Sequence, residues 1–358
     1  MKDSSGNRIR IKDIALKAGV SAGTVDRVLH NRGEVAVKTR EQILDIVNEL
    51  DYTPNILAKS LASKKLFVIA ALIPSTGKEN SYWEKPWFGI EQASSEIKDY
   101  NTRVLLFTYD PNIPESLRTI FGEVLNINPD GIILAPLAYS SSLEIISECD
   151  SRNIPYVFID VNLDGHNNLA FFGQNAGQSG FLAAKLMYLG LPENSYVLVV
   201  KPESKESIGS HLHAREKGFI SYFLSPANKK NILTHTTEVD FTGGDITQKF
   251  DSILNEISAI KGIFVTNSRA FKVAHFLYER KINDITLIGY DLIKKNLDYL
   301  ERGVIDFLIG QKPEEQGYKS VLTLFNYLIS GKRSARINYS PIDIIMKENI
   351  DYYKNFKF

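Results

Sequence analysis

Side chains that could support covalent or metal chemistry are few in this sequence, and their spacing does not suit it. His211 and His213 form an isolated H-x-H pair with no carboxylate at a useful spacing, so we do not expect a metal site. The GQSG segment at 177–180 lacks the G-x-S-x-G spacing of a nucleophile elbow. Gly173 and Gly177 do not form the G-x-G-x-x-G fingerprint of a dinucleotide site. The sequence therefore predicts neither an enzyme nor a bound cofactor.

Residues that could bind a ligand through hydrogen bonds are more numerous than residues for covalent or metal chemistry, because several short apolar runs end in a polar residue. The run IPYVFID ends in Asp160, GIFVTN ends in Asn267 and TLIGYD ends in Asp291. A single polar residue at such a position is more often a cap or a turn former. Whether these residues form a site therefore depends on the elements that position them.

The pattern of the chain changes at the short segment Ala62–Lys65. Residues 11–62 lack strand-like alternation and are predicted to form helices. From Leu66 onward, apolar runs alternate with segments of helical spacing, which is typical of a parallel sheet covered on both faces. About eleven strands in this region favour two doubly wound lobes. The predicted strands are 66–73, 103–109, 131–135, 156–160, 196–200, 262–266 and 286–290, and the predicted helices include 115–127, 141–152, 175–190, 212–224, 268–280 and 315–330.

The composition is ordinary for a globular protein, but the charge is unevenly distributed. Apolar residues make up 44% and charged residues 23% of the 358 positions, and no apolar run is long enough to span a membrane. Residues 1–65 hold 12 Lys and Arg against 8 Asp and Glu, whereas the remainder holds 30 against 34. A basic N-terminal segment indicates a nucleic-acid contact confined to that segment. With a single cysteine, Cys149, and no signal peptide, we expect a cytoplasmic protein.

Two short helices joined by a glycine turn are predicted within residues 11–31. Gly19 can adopt the left-handed conformation that ends the first helix, and Ser21 is a good N-cap for the second. This is the layout of a helix-turn-helix, although helix pairs of this kind are common. The predicted buried faces are Ile14, Ala15 and Ala18 on the first helix and Val25, Val28 and Leu29 on the second.

The residues of this segment resemble the lac repressor (LacI/GalR) family in order and spacing. The matching groups are Asp13-Ile14-Ala15, Ala18-Gly19-Val20-Ser21, Thr24-Val25, Arg27-Val28-Leu29, Lys38-Thr39-Arg40, Tyr52-Thr53-Pro54-Asn55 and Ala58-Lys59-Ser60-Leu61-Ala62. The resemblance implies a helix-turn-helix head over 1–54, a hinge helix and linker over 55–65, and a sugar-binding effector domain over 66–358. It also implies a ligand-responsive regulator of transcription, with a repressor as the first expectation.

The resemblance also implies which residues of the head contact DNA. The second helix enters the major groove, where Arg27 is the candidate for bidentate recognition of guanine. The alternative for Arg27 is a contact to phosphate. The residues implied at the DNA surface are Ser21, Ala22, Gly23, Thr24, Arg27, His30, Tyr52, Asn55 and Leu61.

Two residues of the head depart from the family pattern. Asp26 replaces a serine at a phosphate-facing position, and Ala36 replaces the serine that caps the third helix. Both departures leave operator affinity open.

The resemblance also implies a role for the hinge. In the family, hinge helices such as 55–63 pair in the minor groove, and Leu61 is implied to wedge between bases. The alternative is that Leu61 is a core residue of a linker helix.

From Leu66 onward the chain resembles periplasmic-binding-protein-like sugar receptors of the ribose type, over nearly all of 66–346. In that fold a sugar lies between two lobes at the carboxyl ends of the strands. Val161 stands where ribose receptors have an arginine, which argues against transferring a ribose specificity, and Ser268 replaces the family's aspartate after Asn267. The implied ligand residues are Asn80, the stacking pair Tyr82 and Trp83, the hydroxyl-binding Asp160, the bidentate clamp Arg215, and Asn267, Asp291 and Gln311.

Three function classes compete for this sequence. A ligand-controlled repressor accounts for both parts of the chain, a sugar receptor accounts only for the larger part, and an enzyme lacks a visible site. We expect a homodimer, because one short head buries too little DNA surface and the family's operators are pseudo-palindromic. No heptad tail follows the predicted strand at 342–346, so a tail-mediated tetramer is not expected. The expected partners are operator DNA, a sugar and a second copy, without a membrane.

Overall fold

The computed structural model describes residues 9–29, 33–50, 65–77, 81–203, 210–241 and 246–354. The chain divides into two compact units. One contains Met1–Lys65 and Asn326–Arg333, and the other contains Leu66–Phe325 and Ser334–Phe358. None of the described helices is both long enough and apolar enough to cross a membrane.

The N-terminal unit contains three helices, α1 (Ile11–Ala18), α2 (Ala22–Leu29) and α3 (Val37–Glu49). The predicted turn is confirmed, because Gly19 adopts the left-handed conformation with φ 65° at the end of α1. The predicted cap is also confirmed, because Ser21 Oγ accepts the backbone N–H of Thr24 at 3.1 Å. Ala36 precedes α3 without a side-chain cap.

The three helices of this unit enclose a small apolar core. Ile14, Val25 and Ile43 are completely buried, and the predicted apolar faces of α1 and α2 meet there. Leu29 is the exception, because it is half-buried at the edge of the core and not part of the buried face. An ion pair of 2.6 Å between Lys17 and Glu49 joins α1 to α3 on the surface.

The second unit is built around two six-stranded sheets, which define two lobes. The first sheet has the order β11-β5-β4-β3-β1-β2 and the second β12-β10-β9-β8-β6-β7. All pairs are parallel except β10 with β12. The strands are β1 (Phe67–Pro74), β2 (Thr102–Tyr109), β3 (Gly131–Leu134), β4 (Tyr156–Ile159), β5 (Ala170–Gly173), β6 (Tyr196–Pro202), β7 (Leu233–Val239), β8 (Ile260–Val265), β9 (Thr286–Tyr290), β10 (Phe307–Gly310), β11 (Ile337–Tyr339) and β12 (Asp343–Ile345).

Helices cover the faces of both sheets, as the alternating pattern predicts. The strand β1 is a continuous apolar run whose residues Ile69–Ile73 are fully buried, because helices cover it on both faces. A short 3-10 turn, Ser81–Trp83, precedes the first of these helices. The helices are α4 (Glu84–Ile97), α5 (Pro114–Asn126), α6 (Tyr139–Arg152), α7 (Ala176–Gly190), α8 (Ser210–Leu224), α9 (Thr247–Glu256), α10 (Ala270–Glu279), α11 (Lys294–Glu301), α12 (Pro313–Ser330) and α13 (Ile350–Lys354).

The chain crosses between the two lobes three times, after β5, after β10 and after β11. The buried side chain of Gln174 lies at the first crossing. Its Nε2 donates to Gly310 O at 3.0 Å, at the second crossing, and to Pro341 O at 3.2 Å, at the third. One amide therefore ties the three connections together, and it lies beside the region where the strands of both lobes end.

Close packing of α7 against α8 explains Gly180, the last glycine of the GQSG segment, and Gly218 of α8. A Cβ on Gly180 would lie 2.0 Å from the backbone oxygen of Arg215, and a Cβ on Gly218 would lie 2.0 Å from that of Gly177. Only glycine permits this approach. Gly180 thus serves helix packing, and that packing holds the helix that carries Arg215.

Candidate functional site

The N-terminal unit presents the start of α2 as its candidate DNA-reading surface. Ser21, Gly23 and Arg27 are exposed, and Ala22 and Thr24 are half-buried. The Nε of Arg27 donates to Gly23 O at 3.3 Å, a long bond along its own helix that a DNA acceptor could replace. The other predicted DNA contacts, His30, Tyr52, Asn55 and Leu61, lie outside the described residues.

A cleft of about 700 Å³ lies in the second unit, where strands of both sheets end. It brings together seven of the eight predicted ligand residues, and the eighth, Asn80, lies outside the described residues. The seven residues that line the cleft are Tyr82, Trp83, Asp160, Arg215, Asn267, Asp291 and Gln311.

Arg215 lies at the centre of a buried hydrogen-bond network. Its Nη1 donates to Thr266 O at 2.8 Å and its Nη2 donates to Gln311 Oε1 at 2.6 Å. The Gln311 Nε2 in turn donates to Asp291 Oδ1 at 2.7 Å. The guanidinium carbon lies 3.8 Å from the ring centre of Tyr290, so the planar group is also held by stacking.

This network uses part of the donor capacity of Arg215, whose bidentate grip on a sugar stays a prediction. Each Nη atom has one protein acceptor, which occupies one of its two N–H groups. The buried Nε of Arg215 has no hydrogen-bond partner among the described residues. The arginine therefore keeps the Nε–H and a second N–H on each Nη beyond these bonds, and it orients Gln311 with another.

The two aspartates occupy equivalent places in the two lobes. Asp160 follows β4 with φ 66° and Asp291 follows β9 with φ 73°, and both are left-handed conformations that aspartate tolerates better than most residues. Each backbone N–H donates to the neighbouring strand, from Asp160 to Phe172 O and from Asp291 to Ile309 O, both at 3.0 Å. This turn aims each carboxyl group toward the cleft.

Burial dominates the electrostatics of both carboxyl groups. It raises the pKa of Asp291 to about 7, although Arg215 and the hydrogen bond from Gln311 favour the charged form. Burial likewise raises the pKa of Asp160, against the hydrogen bond from Tyr82 and the charge of Arg215. Burial in the cleft thus disfavours the charged form of both carboxyl groups.

The aromatic pair contributes to the cleft differently from the expected platform. The hydroxyl of Tyr82 donates to Asp160 Oδ1 at 2.7 Å, and burial raises the pKa of that hydroxyl. The rings of Tyr82 and Trp83 meet edge to face, with centres 5.2 Å apart and an interplanar angle of 88°. Tyr82 therefore positions a carboxylate as well as lining the wall.

Asn267 serves as a turn former as well as a lining residue. Its Oδ1 accepts the backbone N–H of Arg269 at 3.0 Å. A polar residue at a strand end can form a turn or line a site, and Asn267 does both.

Two buried amide side chains, which the sequence did not predict as site residues, support the network without lining the cleft. Gln316 accepts the Asp160 backbone N–H at 3.0 Å and donates to Gln311 O at 2.9 Å, which joins the two lobes. Asn296 donates to the backbone oxygens of Ser268 and Asp291, both at 3.0 Å. Both residues lie within helices and not directly after a strand, so their positions carry no signal in the sequence.

Acidic side chains outnumber basic ones along the cleft. An anionic ligand would meet more like charge than opposite charge there, whereas a neutral polyhydroxylated ligand would meet a surface rich in hydrogen-bonding groups. The acidic lining residues are Asp160, Glu203, Glu238, Asp240 and Asp291, and the basic ones are Arg215 and Arg269. Among the described residues, no group of three or more His, Cys, Asp or Glu is arranged to hold a metal ion.

A helix-turn-helix unit and a two-lobed domain with a polar cleft define a class of ligand-responsive DNA-binding proteins, and comparisons agree with this class. Residues 10–55 match the model for bacterial regulatory proteins of the lacI family, and residues 69–333 match the model for a periplasmic binding protein domain. The chain therefore belongs to the lacI family of bacterial transcriptional regulators, with an effector domain of the periplasmic binding protein type.

Individual relatives are similar to this chain over about four fifths of its length. A crystal structure assigned to a LacI transcriptional regulator from Bacteroides fragilis is 33% identical with a TM-score of 0.74, covering 81% of this chain and 100% of that one. Catabolite control protein A of Priestia megaterium is 26% identical over 287 residues, 79% of this chain and 82% of its own. The ribose operon repressor of Halalkalibacterium halodurans is 26% identical over 285 residues, 78% and 80% of the two chains. These relatives are regulators and not enzymes.

Proposed function

We propose that this regulator represses genes of carbohydrate utilisation, binds a pseudo-palindromic operator as a homodimer, and releases it when a neutral sugar occupies the cleft. It would act in the bacterial cytoplasm, where operator DNA is found. The observation that carries the proposal is the buried Arg215–Gln311–Asp291 network at the strand ends of a family effector domain.

The chemistry of the cleft favours a sugar over other effectors. Sugars present many hydroxyl groups and no net charge, and they need planar polar partners together with an apolar wall. Carboxyl groups, an amide and a guanidinium surround the cleft, with Trp83 and Leu137 among its apolar lining. The name of the ribose operon repressor supports this ligand class, but Val161 and Ser268 depart from the ribose-type pattern.

The head would read the operator through α2. We propose that Arg27 exchanges its bond to Gly23 O for a guanine, and that Ala22 and Gly23 allow close approach to the bases. Ser21, Thr24 and His30 would contact phosphate. Further contacts by Tyr52, Asn55 and the wedging Leu61 belong to the same proposal and derive from the family resemblance.

Closure of the two lobes would couple the sugar to DNA. In a dimer, rotation of one lobe against the other changes the spacing of the two hinge segments over 55–65. The shift in operator affinity cannot exceed the difference in sugar affinity between the two states. The bond network at the three crossings, centred on Gln174, supports a hinge at this place.

An operator titration tests the proposal. Fluorescence anisotropy with labelled operator DNA would be measured for the full chain with and without D-ribose, D-glucose, D-galactose or L-arabinose. We expect one of these sugars to weaken operator binding. Arg215→Ala should bind operator near the wild-type affinity without responding to that sugar. A variant that responds normally would remove Arg215 from the site, and one that no longer binds operator would make it a residue of the fold.

A further inference from the structure

His211 is a cleft residue whose role the Arg215 network does not explain. It lies in α8 four residues before Arg215, so both side chains project from the same face of the helix. Both line the cleft. The buried Nδ1 of His211 has no hydrogen-bond partner among the described residues, and the same is true of the buried Nε of Arg215.

A pair of buried polar atoms without partners is unusual in a folded protein. Leaving such an atom unsatisfied costs about 1–3 kcal/mol, so native structures rarely retain one without a reason. Here two such atoms belong to residues one helical turn apart that both line the same cleft. An incoming ligand would satisfy both of them at once.

The charge state of His211 limits the ligand that it can bind. Burial first, and the positive charge of Arg215 second, hold the pKa of His211 well below its ordinary value. A neutral imidazole has one N–H donor and one acceptor nitrogen. A hydroxyl group can accept from the Arg215 Nε–H and also donate to an acceptor nitrogen, whereas an ionised carboxylate or phosphate oxygen has no proton to donate.

We propose that His211 determines ligand specificity, because its Nδ1 bonds the sugar hydroxyl that also accepts the Arg215 Nε–H. This assignment rests on the proposed function and refines it. The pair selects an unmodified hydroxyl at one ring position, and it discriminates against a ligand that carries a phosphate ester there. The acidic excess of the cleft acts in the same direction.

Two substitutions of His211 separate this role from simple packing. The amide of His211→Asn can occupy the place of Nδ1, whereas the longer His211→Gln places its amide near Nε2 and leaves the Nδ1 position apolar. His213→Asn is the matched control, because His213 lies on the same helix with 75% of its side chain exposed and pairs with Glu216.

The probes are D-ribose, D-glucose, D-galactose and L-arabinose, with D-ribose 5-phosphate and D-glucose 6-phosphate for contrast. A thermal-shift screen of the wild-type protein selects the sugar, and calorimetry then gives its Kd for each variant. We expect His211→Gln to weaken binding by about ten-fold or more, the loss of one hydrogen bond, with His211→Asn within about three-fold and His213→Asn unchanged. The sugar should also move the imidazole ¹⁵N signal of Nδ1 in the wild-type protein.

The outcomes separate this assignment from the proposed function. Equal sugar affinity in all four proteins, with an unmoved ¹⁵N signal, would overturn the role of His211 and leave the sugar-responsive regulator intact. A wild-type protein that binds none of the sugars would overturn the proposed ligand class, and this assignment with it. If His211→Gln fails to fold, His211→Asn and the ¹⁵N signal still decide the question.

Discussion

Asp291→Asn should make the empty protein more stable at neutral pH while it removes the response to sugar. Burial raises the pKa of Asp291 to about 7, against a usual value of 3.8. Between these two values the folded protein binds more protons than the unfolded chain. The free energy of unfolding therefore falls as the pH rises through this window, and the loss is complete above pH 7.

The magnitude of this effect follows from the width of the window. At about 1.4 kcal/mol per pH unit, the interval from 3.8 to about 7 corresponds to about 4 kcal/mol. Most of the change falls between pH 5 and pH 8, about 2–3 kcal/mol by the same relation. Asparagine keeps the acceptor for Gln311 Nε2 but cannot ionise, so the variant should escape this loss. The cost of burying its NH₂ group is the same at both pH values and cancels in the comparison.

Urea titrations at pH 5 and pH 8 measure the difference. The two tryptophans, Trp83 and Trp87, both belong to the second unit, so their fluorescence reports the unfolding of that unit. The advantage of Asp291→Asn over wild type should grow by about 2–3 kcal/mol from pH 5 to pH 8. Asp99→Asn, at an exposed carboxylate of the same unit, is the control and should show no such growth. An advantage that is equal at both pH values would refute the reasoning.

Three further substitutions test the head, the helix packing and the hinge. Arg27→Ala should cost about 1–3 kcal/mol on the operator and less on random DNA; equal losses on both would make Arg27 a phosphate contact. Gly180→Ala should destabilise the second unit by about 1–3 kcal/mol and weaken sugar binding, because its Cβ would meet the Arg215 backbone. Gly122→Ala, where a Cβ meets nothing within 4 Å, is the control for urea titration. Gln174→Leu should cost about 1–3 kcal/mol, and an unchanged urea midpoint would argue against its role in tying the crossings.

The fold was predictable where burial left a uniform pattern. The run at β1 is apolar throughout because helices cover both of its faces, and prediction and structure differ there by one residue at each end. The strand β7 was not predicted, because the edge strand LTHTTEV is half exposed and resembles a loop. The strand β5 was not predicted either, because its four residues AFFG are too few to display a period. The two lobes were thus predictable from their long buried strands and not from their short or exposed ones.

The candidate site was predictable in its membership but not in its bonding. The seven described ligand candidates line one cleft because strand ends of parallel sheets meet at one edge. The partners of the Arg215 Nη atoms were not predictable, because Thr266 and Gln311 reach the arginine only through packing between distant segments. His211 was considered only as half of an H-x-H pair, and that pair was dismissed as a metal site because no carboxylate lies at a useful spacing. Its informative spacing is the four residues to Arg215, which the H-x-H pattern obscures.

The residues proposed to bind ligand and the residues proposed to form the hinge are bonded to one another. Gln311 receives a bond from Arg215 and gives one to Asp291, and its backbone oxygen accepts from Gln316. Gln316 also holds the backbone of Asp160 in the other lobe. A sugar that bound Arg215 and Asp291, as proposed, would therefore act on bonds that join the two lobes. Since a ligand shifts an equilibrium only by its differential affinity for the two states, this shared network is where that difference would arise.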